Sequence, residues 1–225
     1  MATAQEIVAH AQRWELLRQR RAKETLRSVY RVDDRYVAKK FEIPLAARRY
    51  RRPWLAEDAC LRRLDGRGAP RSLGWFEETK ADQRVVWLVK DYVAGAPVET
   101  FAAADLPAAA RLLAGVHAQA VVTDDASAGN FLRAPDGRMA FLDFGRARLY
   151  PRAGLHLDAA IGWELAKLRR EGFRWDADLW HAFLPLYFVA LGASRPRQIR
   201  IRLACTASVA LRRIRKTLQG KNPRS

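Results

Sequence analysis

The stretch Asp125-Ala-Ser-Ala-Gly-Asn130-Phe-Leu is followed, after a short interval, by Phe-Leu-Asp143-Phe-Gly145. Between them lies Pro135-Asp136-Gly137, a strong turn signal, so the two stretches are predicted to run into the arms of a hairpin. This spacing sets one aspartate and one asparagine before the hairpin and a second aspartate directly after it.

These three polar side chains suit phosphoryl transfer. The carboxylate of Asp125 can orient a hydroxyl group, and the oxygens of Asn130 and Asp143 are hard ligands of the kind that Mg²⁺ prefers. Asp124 is adjacent but breaks the spacing to Asn130. Each aspartate alone would be read as a turn or capping residue. Together they predict Asp125 as the catalytic residue and Asn130 and Asp143 as metal ligands.

A lysine on a predicted strand is the candidate cation for nucleotide phosphates. The strand is 36–41, and it contains Lys39 and Lys40. Side chains alternate along a strand, so Lys39 shares a face with apolar neighbours, which favours it as the nucleotide lysine. The choice stays open, because a literal match to the nucleotide-lysine pattern V-A-x-K would select Lys40.

A helix is predicted after this strand, from Pro53 to Leu64. Glu57 on this helix is the candidate ion-pair partner of the lysine, and Asp58, expected on the exposed face, is the alternative. Two further strands are predicted, at 72–77 and 85–89.

The pattern as a whole predicts an α+β chain with two lobes. A basic helix is expected from Ala4 to about Arg31, followed by strands and one main helix, and then by a mostly helical half. The join is expected near 89–95, which gives lobes of 1–93 and 94–225.

Charge and cysteine content limit the partners and the compartment. A net charge of +17 and a pI near 10.8 favour nucleic acid, an acidic lipid surface or a phosphorylated substrate, unless the arginines are simply solvated. Cys60 and Cys205 are expected to be buried thiols in a reducing compartment. The chain shows neither a signal-peptide layout nor an apolar run of about 20 residues, which predicts a cytoplasmic protein.

The segments described above resemble the protein-kinase-like superfamily from about Tyr30 to Asp158. The strand at 36–41, the arginine cluster at 48–52 and the stretch 125–132 are most similar to the bacterial lipopolysaccharide core kinases, which include Kdo and heptose kinases. The resemblance implies a small antiparallel-sheet N-lobe with one main helix and a compact, mostly helical C-lobe.

The same resemblance implies ATP and Mg²⁺ as cofactors and a sugar hydroxyl of the lipopolysaccharide inner core as acceptor, at the inner face of the bacterial inner membrane. Lys39 and Glu57 would position the ATP phosphates, and Val89, Asp91 and Tyr92 would form the adenine-contacting hinge. An anionic glycolipid is the expected partner.

Three departures from kinase patterns shape the alternatives. The chain has no glycine before Gly66, so the phosphate-covering loop, expected near 26–30, cannot be glycine-rich. Thr123 stands where many kinases have histidine. No A-P-E-like segment follows Gly145, which favours a small or lipid-linked acceptor. The alternatives are a compact RIO-like protein kinase associated with RNA and a non-catalytic pseudokinase that acts as a binding module.

The last third of the chain is predicted to contain a basic helix between Arg197 and Leu218. Its cationic face is typical of membrane-surface helices, although packed helices with solvated arginines share this pattern. His117 is interpreted as a structural residue, and three tryptophans are expected in the core: Trp163, Trp175 and Trp180. The basic residues are Arg195, Arg197, Arg200, Arg202, Arg212, Arg213, Arg215 and Lys216.

Overall fold

The computed structural model of the protein describes residues 2–47 and 50–220, with side chains up to residue 212 in the last helix. The chain divides into two compact units, one ending at Ala94 and one beginning at Gly95. The first is built on an antiparallel sheet and the second is mostly helical. The α+β class predicted from the sequence is therefore confirmed.

The sheet of the first unit has five antiparallel strands in the order β1-β2-β3-β5-β4. Two helices, α1 and α2, accompany it. The elements are α1 (Ala4–His10), β1 (Trp14–Ala22), β2 (Thr25–Val32), β3 (Tyr36–Pro44), α2 (Pro53–Leu64), β4 (Ser72–Lys80) and β5 (Gln83–Asp91). The predicted helix at 53–64 and the strands at 36–41, 72–77 and 85–89 are all found, most of them longer than predicted.

The prediction of a basic helix from Ala4 to Arg31 is wrong beyond His10. A capping box between Thr3 and Glu6 starts α1, which ends at His10, and the basic residues that follow lie on β1 and β2. β1 is exposed along nearly its whole length, so no burial pattern marks it as a strand. Backbone pairing with β2 overrides the local helical preference of this sequence.

The predicted position of the phosphate-covering loop, near 26–30, is wrong because of this hairpin. Residues 26–30 lie inside β2, and Ser28 is fully buried there, where its hydroxyl accepts a hydrogen bond from Gln19. The turn between β1 and β2 is formed instead by Lys23 and Glu24, with Lys23 in a left-handed conformation.

The two faces of the sheet carry separate apolar clusters. One contains Ala38, Trp87 and Val89 together with Ile7 of α1. The other contains Phe41 and Leu88 together with Trp54 of α2. Since residues alternate along β3, Lys39 belongs to the face that α2 covers, and Lys40 belongs to the face of Trp87.

Four helices make up most of the second unit as it is described: α3 and α5 pack together, and so do α4 and α6. They are α3 (Leu106–Ala118), α4 (Leu155–Lys167), α5 (Ala177–Leu191) and α6 (Arg195–Gly220). The short strands are β6 (Ala96–Pro97), β7 (Val121–Val122), β8 (Phe131–Arg133), β9 (Met139–Phe141) and β10 (Arg148–Leu149). Helices α4 and α6 approach each other closely at Gly162 of α4. A Cβ added at Gly162 would lie 2.5 Å from the Cβ of Ala204, so the contact requires glycine at this position.

The predicted basic helix is α6. Two of its arginines, Arg197 and Arg200, bind Asp158 of α4, and Arg202 lies 4.9 Å from the ring centre of Phe188. These arginines therefore contribute to packing, whichever surface role the helix has. The predictions for Arg48 and Arg49, and for the side chains of Arg213, Arg215 and Lys216, fall outside the described residues.

The core prediction for the tryptophans is correct for only one of them. Trp180 is buried against Phe173 and Phe183, whereas Trp163 and Trp175 are exposed. Trp163 follows Gly162, the residue of α4 that approaches α6, and its position on the helix turns it to solvent.

Both cysteines are free and buried, as predicted. Burial raises the pKa of Cys60 to about 12 and that of Cys205 to about 11. Within the described part of the chain, no helix combines the length and the apolar character needed to cross a membrane.

Candidate active site

Strand β3 and helix α2 bring Lys39 and Glu57 together in the first unit. Nζ of Lys39 donates to Oε2 of Glu57 at 2.8 Å, and the Glu57 side chain is 1% exposed. Lys40 points away from this pair. It binds Glu42 at 2.9 Å and lies over the ring of Trp87. Lys39 is thus the lysine that faces Glu57, and its role in nucleotide binding stays a prediction.

Glu57 has a second partner that the sequence analysis missed. Nζ of Lys90 on β5 donates to Oε1 of Glu57 at 2.7 Å, and the Lys90 side chain is 4% exposed. Val37 pairs with Lys90 in the sheet register, so Lys39 and Lys90 are diagonal neighbours on the face that α2 covers. One buried carboxylate therefore binds two ammonium groups. The sequence did contain a signal for this contact. Lys90 directly follows the apolar run of a strand, and a lysine buried there needs a partner.

Asp58, the alternative partner on α2, is buried rather than exposed. Its carboxylate accepts hydrogen bonds from the Ser72 hydroxyl and, at 2.9 Å, from Nε of Arg62. Asp58 therefore links α2 to β4, and Glu57 is the carboxylate of this pair that faces β3.

The predicted hinge residues lie at the end of β5. Val89 is fully buried, with Ala38 and Gly74 as its sheet neighbours. The N–H of Asp91 donates to the Arg71 carbonyl at 3.0 Å, and the N–H of Tyr92 donates to the Arg35 carbonyl at 2.8 Å. Both amides are engaged within the first unit, and adenine contact by this segment stays a prediction.

In the second unit, the β8–β9 hairpin brings Asn130 and Asp143 to the same end. Phe131 pairs with Phe141, and the N–H of Leu142 donates to the Asn130 carbonyl at 3.0 Å. The two predicted metal ligands therefore flank the open end of one hairpin, as the sequence predicted from the turn at 135–137. Phe131, Phe141 and Phe144 are fully buried in edge-to-face contacts that anchor this hairpin.

Asn130 and Asp143 carry the oxygen donors that Mg²⁺ prefers, and magnesium binding by them stays a prediction. Nδ2 of Asn130 donates to the Asp125 carbonyl at 2.7 Å, which leaves the amide oxygen to act as the ligand, and Oδ1 of Asp143 accepts from the Gly145 N–H at 3.0 Å. No cluster of three or more His, Cys, Asp or Glu residues suited to a metal occurs in the described residues. Phosphate oxygens and water complete the coordination of Mg²⁺ in phosphotransferases, so two protein ligands are enough.

The loop that carries Asp125 is held by helix α4. Glu164, fully buried, accepts from the Thr123 hydroxyl at 2.7 Å and from the Asp124 N–H at 3.1 Å. Lys167 contacts Oδ1 of Asp125 and donates to the Asp124 carbonyl at 3.2 Å. Glu164 and Lys167 are functional candidates that the sequence analysis missed. Thr123, noted there as a departure from kinase patterns, binds this helix.

His117 is fully buried beneath this loop, in agreement with its structural interpretation. Its Nδ1 shares a hydrogen bond of 2.7 Å with the Tyr187 hydroxyl, and its Nε2 lies 3.6 Å from Glu164. Burial raises the pKa of Glu164, but the contacts with His117, Thr123 and the Asp124 amide outweigh it, so the pKa lies below its ordinary value. Glu164 is therefore a charged anchor under the loop.

Each unit thus assembles one part of the predicted site: Lys39 with Glu57 in the first, and Asp125 with Asn130 and Asp143 in the second. A scan of the sequence against protein-family models and a search of curated proteins both find no match for this chain.

Proposed function

We propose that the protein is an ATP- and Mg²⁺-dependent phosphotransferase with a protein-kinase-like fold. The observation that carries the proposal is the buried Lys39–Glu57 ion pair, which joins a sheet strand to the main helix of the first unit. Protein kinases require this kind of strand-lysine and helix-glutamate pair to position nucleotide phosphates. The hinge at Val89, Asp91 and Tyr92 belongs to the same proposal.

The second unit supplies the remaining groups. Asn130 and Asp143 would hold Mg²⁺, which when bound supplies positive charge to the phosphate oxygens. Asp125 would accept a hydrogen bond from the acceptor hydroxyl and orient its oxygen toward the transferred phosphoryl group. The Asn130 side chain supports this geometry because it also binds the Asp125 backbone.

The acceptor in this proposal is a sugar hydroxyl of the lipopolysaccharide inner core. The segment between Gly145 and Leu155 is short, and part of it is strand β10, which pairs with β7, so little chain is left for docking an extended peptide. The net charge of +17 is suited to an anionic glycolipid. The proposal therefore includes a location at the inner face of the bacterial inner membrane, where anionic headgroups attract basic proteins.

A second candidate is a small RIO-like serine/threonine kinase associated with RNA. The exposed strand β1 favours it, because Arg18, Arg20 and Arg21 are solvent-exposed there. This alternative predicts RNA binding that weakens steeply with salt, together with autophosphorylation. A pseudokinase binding module is the third alternative, and the retention of Asp125, Asn130 and Asp143 argues against it.

The test compares wild type with Asp143→Ala and with Asp136→Asn as a matched control. Asp136 is an exposed turn residue of the same hairpin that pairs with Arg138. Lipopolysaccharide from strains with wild type or D136N should carry one phosphoryl group that the D143A strain lacks, as read by mass spectrometry. Equal masses in all three strains would overturn the proposed acceptor.

A further inference from the structure

Lys167 has an unusual position at the predicted catalytic loop. Its ammonium group contacts Oδ1 of Asp125, donates to the Asp124 carbonyl at 3.2 Å and lies 3.6 Å from Glu171. The side chain is largely buried. The contact joins a cation directly to the Asp125 carboxylate and partly offsets its charge.

The backbone that these contacts hold is strained. Asp124 has a φ of 55°, a left-handed conformation that is uncommon outside glycine. Its N–H donates to Glu164 and its carbonyl accepts from Lys167, so α4 binds the strained residue on both sides. Such conformations persist where the surrounding contacts over-determine them, and they cluster at functional sites.

One helix face thus provides both kinds of partner. Glu164 accepts hydrogen bonds from the donor groups of the loop. Lys167 lies three residues later, in the last turn of α4, and donates to the acceptor groups of the same loop. The contact of Lys167 with Oδ1 of Asp125 restrains the orientation of the carboxylate and favours Oδ2 as the oxygen for a hydroxyl.

We propose that Lys167 is the positioning residue of Asp125: it selects the carboxylate oxygen that meets the acceptor hydroxyl and offsets the charge of Asp125 as the nucleotide phosphates arrive. The kinetic part of this inference rests on the proposed function. The structural part, that Lys167 sets the conformation of Asp124 and Asp125, does not.

The experiment uses the full chain with Lys167→Met and Lys167→Arg, and with Lys80→Met as the control. Lys80 is an exposed lysine that pairs with Glu78. Crystal structures of wild type and K167M compare the φ of Asp124 and the direction of the Asp125 carboxylate. We expect both to change in K167M and to be kept in K167R and K80M. An unchanged loop in K167M overturns the inference, whether or not the protein has phosphotransferase activity.

Kinetics with Mg·ATP and core oligosaccharide provide the second measurement. Misplacement of a reacting group by an ångström costs about 100-fold in rate, so kcat of K167M should fall by this order. Binding of Mg·ATP should be unchanged, and K167R should recover most of the rate. Wild-type kcat in K167M, or a loss that appears in Mg·ATP binding alone, would overturn the positioning role. Inactive wild type would contradict the proposed function instead, and the crystal structures would still decide the role of Lys167.

Discussion

Each unit buries one glutamate on a helix, and the two are stabilised in different ways. Glu57 on α2 binds two ammonium groups, at 2.8 and 2.7 Å. Glu164 on α4 binds a hydroxyl and a backbone N–H, at 2.7 and 3.1 Å. Lysine ammonium groups sit on flexible stems and can be shared with an incoming phosphate, whereas a backbone N–H cannot move without its loop. The first arrangement is suited to ligand binding, and the second is suited to a loop of fixed conformation, as expected at the predicted catalytic residue.

The largest expected effect on stability is that of Glu57→Gln. This variant removes the carboxylate that two buried ammonium groups share, and breaking a buried ion pair costs about 3–5 kcal/mol. Urea unfolding should show this loss in the free energy of unfolding. The control is Glu42→Gln, which affects the partly exposed Lys40 pair and should cost at most about 1 kcal/mol. Equal losses in the two variants would show that the buried ion pairs of Glu57 contribute no more to stability than the partly exposed pair of Glu42.

A smaller loss is expected for Glu164→Gln. Glutamine keeps the shape of the side chain, but its amide group cannot accept from both Thr123 and the Asp124 N–H, and a buried donor without its acceptor costs about 1–3 kcal/mol. Unfolding in urea at neutral pH gives the value. Glu171→Gln, on the exposed side of Lys167, is the control and should be close to wild type. A neutral E164Q would contradict the role of Glu164 as an anchor.

The same glutamate gives a pH-dependent prediction. The folded pKa of Glu164 lies below its ordinary value of 4.5. Its charge therefore stabilises the fold above the ordinary value, and this contribution is lost as the pH falls through the folded pKa. The difference in unfolding free energy between wild type and E164Q should be constant near neutrality and shrink below pH 4.5. A difference that grows on acidification would contradict this sign.

The smallest effect is expected for Lys40→Met. Lys40 is next to Lys39 in sequence but lies on the other face of β3, where it contacts Glu42 and the Trp87 ring. Its ion pair is partly exposed, and such pairs contribute about 0–1 kcal/mol. A large destabilisation in thermal or urea unfolding would mean that the two faces of β3 are not as different as the contacts indicate.

Sequence-based prediction was correct where the local pattern of residue types reflects burial, a helix start or a turn. Three local patterns predicted elements correctly: the alternation along β3, the proline at the start of α2 and the turn at 135–137. From these elements followed the pairing of Lys39 with Glu57 and the position of Asn130 and Asp143 at one end of a hairpin. Strand β1 was missed because nearly all its residues are exposed and the turn after it lacks glycine.

The missed site residues have a different cause. Lys90 meets Glu57 across 33 positions of sequence, and Glu164 meets Thr123 across 41. No local periodicity encodes such distances. The only signals were a lysine at the end of an apolar strand and a glutamate on the buried face of a helix, where burial without a partner is costly.

Mg²⁺-dependent phosphoryl transfer from ATP is the most direct test of the proposed activity and of the role of Lys39. It is measured in parallel for wild type, Lys39→Met and Lys40→Met, with core oligosaccharide as acceptor. We expect wild type and K40M to transfer phosphate at similar rates and the rate of K39M to fall by about 100-fold or more, the effect expected when one positioned charge is removed from a transition state. Equal rates for K39M and wild type, or no Mg²⁺-dependent transfer by wild type, would contradict this expectation.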